Sequence, residues 1–231
     1  MNRYYNEFIK YVRLSEKTKE GYTFDRLLRE AKKLMVSNDN RDKHAIIVLG
    51  FSGNGKTTYI NNFIESNPEY SIVSMDRVAR EVLDSKCNNP SAKIVENFGN
   101  ALEEASNNKK NIIIDGNFLN MLTRLALIDT LSSYGYLIDM VDLTPHINET
   151  KESRIKDVSC RRLNITEDIF TNNRNHPRIK EIEKEIESFY ENERARSFID
   201  EQIDNNALSL GINKIYGRED TIILPNNGVS Y

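Results

Sequence analysis

The sequence predicts an α/β chain built on a doubly wound, mainly parallel sheet. Three observations carry this expectation. Short apolar runs recur at 45–49, 70–75, 111–115 and 136–143, the pattern of strands covered on both faces. The segments between them, such as 93–105 and 122–131, are long enough for crossover helices. The first run also leads straight into a glycine-studded turn, "GFSGNGKTT" at 50–58.

Before the first strand, residues 1–40 read as an amphipathic helical segment. Tyr5, Phe8, Ile9 and Val12 share a face, and Phe24, Leu27, Leu28, Ala31, Leu34 and Met35 repeat the three-to-four spacing. Covering the sheet, dimerisation and docking of a protein partner all suit such a segment. The polar break "SNDNRDK" separates it from a main domain over 41–231. In that domain the first strand is followed by a helix beginning near Lys56.

Past the fourth strand the rhythm breaks. From Asn148 to Arg178 the chain is polar and basic, and a lid is expected over about 146–178. A helix then runs over about 178–202, with Ile179, Ile182, Ile186 and Phe189 on one stripe. The run "TIIL" at 221–224 is the expected last strand, and "PNNGVSY" reads as a surface tail.

The bulk chemistry narrows the function. The chain has 231 residues, 39% hydrophobic and 29% charged, with a net charge of −3. No global basic excess advertises a nucleic-acid surface, so any polyanion would have to meet a local patch. Two cysteines, Cys87 and Cys160, make no disulfide framework, and no Cys/His set has zinc spacing. The start lacks the layout of a secretory signal, and no run reaches the roughly 18 apolar residues of a membrane span. A cytoplasmic setting without a membrane partner is expected.

The chemistry concentrates in the turn. Gly50 to Thr57 fits G-x-x-x-x-G-K-[ST], the loop that wraps nucleotide phosphates. Gly50, Gly53 and Gly55 allow the backbone to bring its N–H groups close to phosphate, with Ser52, Asn54 and Thr58 completing the cradle. Lys56 is spaced to reach the β- and γ-phosphates of ATP, and the Thr57 hydroxyl to ligate Mg²⁺.

Two further strand ends carry carboxylates. The second run ends "SIVSMDRVAR", placing Asp76 where open α/β sheets bind ligands, with Arg77 and Arg80 beside it as anion-binding candidates. A carboxylate there suits a base for an attacking hydroxyl, although a capping Asp in a solvated turn is the plainer alternative. The third run ends "NIIIDGNFLNMLTR", with Asp115 at its end and Asn117 and Arg124 following. Lys56 and Asp76 are the catalytic candidates. Thr57 and Asp115 are the metal pair, and Arg77, Arg80, Asn117 and Arg124 the acceptor-binding set. His44, His146 and His176 have no catalytic spacing, and His44 reads as structural.

In the order of these pieces, G-x-x-x-x-G-K-T, "SMDRVAR", then "IIIDGNFLN…R", the chain resembles the small P-loop kinases related to polynucleotide kinase and zeta toxins, over about residues 45–165. The resemblance implies a P-loop NTPase, nucleoside-kinase-like architecture with a helical lid. It implies that Asp76 activates the acceptor hydroxyl, that Lys56 and Thr57 manage ATP·Mg²⁺, and that Asp115 supports the metal. It also adds Arg161 and Arg162, with Arg154 in reserve, to the catalytic set as the lid arginines that meet the transferring phosphate. Ala79 stands three residues past Asp76, where such kinases often carry Arg. The expected activity is an ATP-dependent kinase acting on a hydroxyl of a nucleotide-like acceptor, with the 5′-hydroxyl end of single-stranded nucleic acid as first choice. A sugar nucleotide acceptor, and an ATPase switch acting on a protein partner, are the alternatives.

Overall fold

The computed structural model describes residues 2–16, 24–35, 41–50, 55–85, 89–116, 118, 121–143, 151–191, 211–217, 220 and 222. Five parallel strands form one sheet in the order β2-β3-β1-β4-β5. They are β1 (Lys43–Leu49), β2 (Tyr70–Ser74), β3 (Asn111–Asp115), β4 (Tyr136–Asp142) and β5 (Lys214–Tyr216). The chain is thus an α/β protein of the expected class. β1 lies at the centre, between β3 and β4. Its carboxyl end opens on the crevice where the direction of strand addition reverses, the usual ligand position in such sheets.

Alternation along each strand divides the core. Ala45, Ile47, Leu49, Ile112, Ile114, Ile138 and Met140 face one layer, while Ile46, Val48, Ile113 and Val141 face the other. The first layer is covered by α1 (Arg3–Glu16), α4 (Met75–Asp84), α5 (Pro90–Asn107) and α6 (Met121–Ser133), which contribute Tyr4, Tyr11, Val78, Val82, Phe98, Leu102 and Leu125. Ile60 and Phe63 of α3 (Lys56–Ser66) pack on the second. No helix among the described residues is long and apolar enough to cross a membrane.

Helix α1 keeps Phe8 of the expected face against the core but is rotated from the stripe its periodicity indicated. Tyr4, Tyr11 and Leu14 are buried, whereas Val12 is exposed. The rotation follows from polar anchoring. Asn2 accepts from the Tyr5 N–H and donates to the Glu96 carbonyl and Asn100, while Tyr11 and Lys10 both donate to the buried Asp129 of α6. In α2 (Phe24–Leu34), Ala31 is buried and Leu34 exposed.

Two strand boundaries also differ from the sequence expectation. β2 ends at Ser74, because the Ser74 hydroxyl accepts from the Arg77 N–H and starts α4 at once. The fifth strand is formed by 214–216, which pairs with 139–141 of β4. The run at 221–224 lies outside the described residues except Ile222, which is not in a strand and packs on the second layer.

After β4 come α7 (Lys151–Leu163), α8 (Glu167–Asn172) and α9 (Pro177–Glu191). Ile155 and Val158 of α7, Phe170 of α8, and Ile179, Ile182 and Ile186 of α9 form a separate small core. The expected α9 stripe is therefore present at three positions, and the Phe189 side chain lies outside the described residues. These three helices therefore share an apolar centre of their own.

Candidate functional site

β1 delivers the chain to Gly50 at the crevice, and α3 begins again at Lys56. Gly55, the residue before α3, has φ of 81° and makes no side-chain cap. A residue with Cβ would be strained there. The start of α3, with no side-chain cap from Gly55, lines a cavity together with Asp76, and the first N–H groups of a helix are suited to phosphate. Lys56 is 6% exposed, and its Nζ donates to the Gly50 carbonyl at 2.8 Å, curling back over the loop. Burial pulls its pKa down, against the attraction of Asp76, Asp115 and Glu185. Thr57 and Thr58 are exposed. Ser52, Gly53 and Asn54 lie outside the described residues.

The ends of β2 and β3 are tied together. Besides capping α4, Ser74 donates from Oγ to Asp115 Oδ2 at 3.0 Å. The other oxygen of Asp115, Oδ1, is buried and has no hydrogen-bond partner among the described residues. A buried carboxylate oxygen left open in this way is costly unless it meets a cation or water. Together with the Thr57 hydroxyl it gives hard oxygen donors of the type Mg²⁺ takes. Among the described residues no cluster of three or more His, Cys, Asp or Glu could hold a metal. A site of few protein ligands fits an ion that keeps waters and substrate phosphates around it.

Asp76 occupies the first turn of α4 rather than the strand end. Its side chain reaches solvent, yet the surrounding protein and the neighbouring Asp115 charge push its carboxyl above the ordinary range, with Lys56 and Arg80 opposing. Ser74, not Asp76, is the capping residue. The capping role that competed for Asp76 is thereby filled by its neighbour.

Gly55, Lys56, Thr57, Thr58, Asp76, Arg161 and Arg162 line one cavity of about 320 Å³. Helix α7 thus shares one cavity with the start of α3 and with α4. Arg161 pairs with Asp157 of its own helix, and Arg162 donates from Nη1 to Glu185 Oε2 of α9 at 2.8 Å. Arg154 is buried beside Asp157. Glu185 was not singled out in the sequence. It is one of many glutamates in α9, and only the packing of α9 on α7 brings its charge close enough to act on Lys56 and Asp76.

The acceptor-binding candidates separate. Arg77 is exposed and 3.9 Å from Glu81, and Arg80 donates from Nε to the Asp76 carbonyl at 3.4 Å. Both are exposed on α4, and neither is among the described residues that line the cavity. Arg124 instead is fully buried in α6, where it donates to the Phe118 carbonyl at 2.7 Å, and burial lowers its pKa to about 9. It does not line the cavity. Asn117 lies outside the described residues, as do His146 and Cys87.

His44 is structural in its contacts. Its ring bridges the Tyr70 hydroxyl and, at 3.0 Å, Asp139, whose other oxygen accepts from Asn213 at 2.8 Å. This network lies within the sheet, away from the cavity lining. His176 accepts from the Arg178 N–H at the start of α9.

Comparison with known proteins agrees with the motif order. Residues 46–157 match the family described as AAA domain, a stretch that runs from β1 through the phosphate loop, Asp76 and Asp115 into α7. No curated protein matches. A solved chain of the PezAT chromosomal toxin–antitoxin system of the human pathogen Streptococcus pneumoniae is similar at 16% identity, covering 95% of this chain and 80% of that chain, with a TM-score of 0.46. The parallel sheet and the glycine-rich loop after β1 give an α/β fold of the P-loop type, and the match over 46–157 agrees with it.

Proposed function

We propose that this chain is a phosphotransferase that passes the γ-phosphate of ATP to a hydroxyl of a nucleotide-like acceptor. One observation supports it above the rest. The phosphate-loop residues Lys56 and Thr57, the carboxylate Asp76 and the lid arginines Arg161 and Arg162 line a single cavity. A nucleotide switch needs the first pair. Transfer to an alcohol also needs a base and a cover against water.

In this reading the N–H groups at the start of α3, with Gly50, Ser52, Gly53, Asn54 and Gly55, hold the phosphates. Lys56 leaves the Gly50 carbonyl and meets the β- and γ-phosphates, where its charge is preserved by Asp76 and Asp115. Thr57 and Asp115 are the residues that would hold Mg²⁺, which when bound supplies positive charge to the phosphate oxygens. Asp76 accepts the proton of the acceptor hydroxyl as its oxygen bonds to the γ-phosphorus. The bond from that phosphorus to the β–γ bridging oxygen breaks, and ADP leaves. Arg161 and Arg162 stabilise charge on the transferring group.

The acceptor assigned first is the 5′-hydroxyl end of a single-stranded nucleic acid, with Arg77 and Arg80 exposed on α4 to meet its backbone phosphates. A sugar nucleotide is the alternative within the same chemistry. The test follows γ-labelled ATP and Mg²⁺ with 5′-hydroxyl oligonucleotides, sugar nucleotides or water alone. Label on an oligonucleotide end, lost in Asp76→Asn, supports the first acceptor, and label on a sugar nucleotide alone moves the assignment to the second. Label only in free phosphate overturns the transferase reading in favour of a switch that drives a protein partner.

A further inference from the structure

Glu185 is a carboxylate beside a cavity whose proposed ligand is a polyanion, an arrangement that costs binding energy unless the carboxylate does something else. Its surroundings define that role. Ile182 and Ile186, the adjacent members of the α9 stripe, are 5% and 1% exposed in the small lid core. They fix the rotation of α9 and hold Glu185 toward the crevice. From there its charge acts on both Lys56 and Asp76. Its hydrogen-bond partner is Arg162, at 2.8 Å through Nη1.

An arginine has five N–H donors in a rigid planar fork. Holding one nitrogen fixes the plane and leaves the remaining donors directed elsewhere. Arg162 both meets Glu185 and lines the cavity with Lys56 and Thr57. Unrestrained, a surface arginine gives up rotamer freedom when it binds phosphate. Tethered, it has already lost much of that freedom.

We infer that Glu185 is a positioning residue that orients Arg162 toward the terminal phosphate of the bound nucleotide, and so makes the site prefer a triphosphate over a diphosphate. This rests on the reading of the cavity as a nucleotide site. It does not depend on which acceptor is used. A second ion pair joins the same two helices without lining the cavity: Lys151 donates to Glu187 at 3.0 Å. It provides a control for simple helix docking.

The experiment measures equilibrium binding of ATP and ADP, without acceptor, to the wild-type chain and to Arg162→Ala, Glu185→Ala, Glu185→Gln, Glu187→Ala and the double variant Arg162→Ala/Glu185→Ala. Charge-assisted contacts of this kind are worth roughly tenfold or more in affinity. The expected result is that Arg162→Ala and Glu185→Ala each reduce the preference for ATP over ADP by about tenfold. The double variant should lose no more than Arg162→Ala alone, Glu185→Gln should recover part of the preference, and Glu187→Ala should keep it. Additive losses, or an equal loss in Glu187→Ala, overturn the positioning role. So does a rise in ATP affinity on removing Glu185, which would mark it as a brake. Failure of the wild-type chain to bind either nucleotide overturns the nucleotide-site reading itself, and this inference with it. Binding that discriminates normally in Glu185→Ala overturns the inference alone.

Discussion

Ser74 Oγ lies 3.0 Å from Asp115 Oδ2 while also accepting from the Arg77 N–H. One hydroxyl therefore joins the end of β2, the start of α4 and the carboxylate at the end of β3. It places Asp76 two residues beyond a fixed point and leaves Asp115 Oδ1 as the open oxygen. Ser74→Ala should cost about 1 kcal/mol of stability through the lost cap. It should also raise the Mg²⁺ concentration needed for ATP turnover, because Asp115 loses its orientation. Urea unfolding and a Mg²⁺ titration of turnover check the two parts separately, and Ser74→Thr should retain most of both.

Lys56 is buried and poised on the Gly50 carbonyl. Lys56→Ala should reduce ATP turnover by about a hundredfold or more, since in the proposed function it removes the charge that meets the β- and γ-phosphates. Stability should change little. Removing a buried cation abolishes a desolvation cost while it leaves the Gly50 carbonyl one partner poorer. Isothermal titration with ATP and a turnover assay on the same preparation check this, and undiminished turnover would sink the phosphate-loop assignment.

Asp76 gives a prediction with a definite sign. Its carboxyl is raised above the ordinary value of 3.8 by burial and by Asp115. A base works only when ionised, so transfer should fall as the pH drops through that raised pKa, at a higher pH than a free aspartate would give. For folding the linkage runs the other way. A carboxyl that binds its proton more tightly in the folded chain opposes folding in its ionised form, and that opposition fades as the pH falls below the folded pKa. Asp76→Asn should therefore abolish transfer, spare ATP binding and slightly raise the thermal midpoint at neutral pH. A pH–rate profile and a melting curve of the variant check both signs.

The lid arginines differ in their restraints: Arg161 is tied within α7 to Asp157 and Arg162 across to α9. Replacing both by Ala should slow transfer by several orders of magnitude if they meet charge developing on the γ-phosphoryl group. ATP affinity should fall by much less. Single-turnover rates at saturating ATP isolate the chemical step, and an unchanged rate would return both to a solvated helix face.

How far the sequence led is set by how local each feature is. The runs in β1, β3 and β4 are buried on both faces, so their apolarity needs no tertiary context to be read. The phosphate loop is likewise a contiguous pattern, and Lys56 and Thr57 follow from it. β5 is three residues long and forms only because β4 offers the edge beside 139–141, which no local window contains. The register of α1 depended on partners more than ninety residues away, Asn100 and Asp129. Arg124 read as an acceptor contact because it follows the end of the third strand, yet α6 is buried nearly all round and takes it inside. Glu185 became visible only through the packing of α9 on α7.

The N-terminal helix closes against α5 through a contact that allows no extra atom. A Cβ on Gly99 would lie 2.1 Å from Asn2 Oδ1, the atom that accepts from the Tyr5 N–H at the start of α1. Asn2 is 8% exposed and bonded on both sides, so it has nowhere to retreat without losing those bonds. Gly99→Ala gains helix propensity in α5, worth about 1 kcal/mol. Against it stand the overpacking strain, typically about 1–3 kcal/mol, and the loss of the Asn2 bonds. The strain should win, and the variant should unfold at lower urea than the wild type. The companion variant Asn2→Ala removes the clashing atoms, so in that background Gly99→Ala should cost less or become stabilising. A double-mutant cycle by urea unfolding reads this coupling. Additive effects would mean that α1 does not meet α5 through Asn2 in solution.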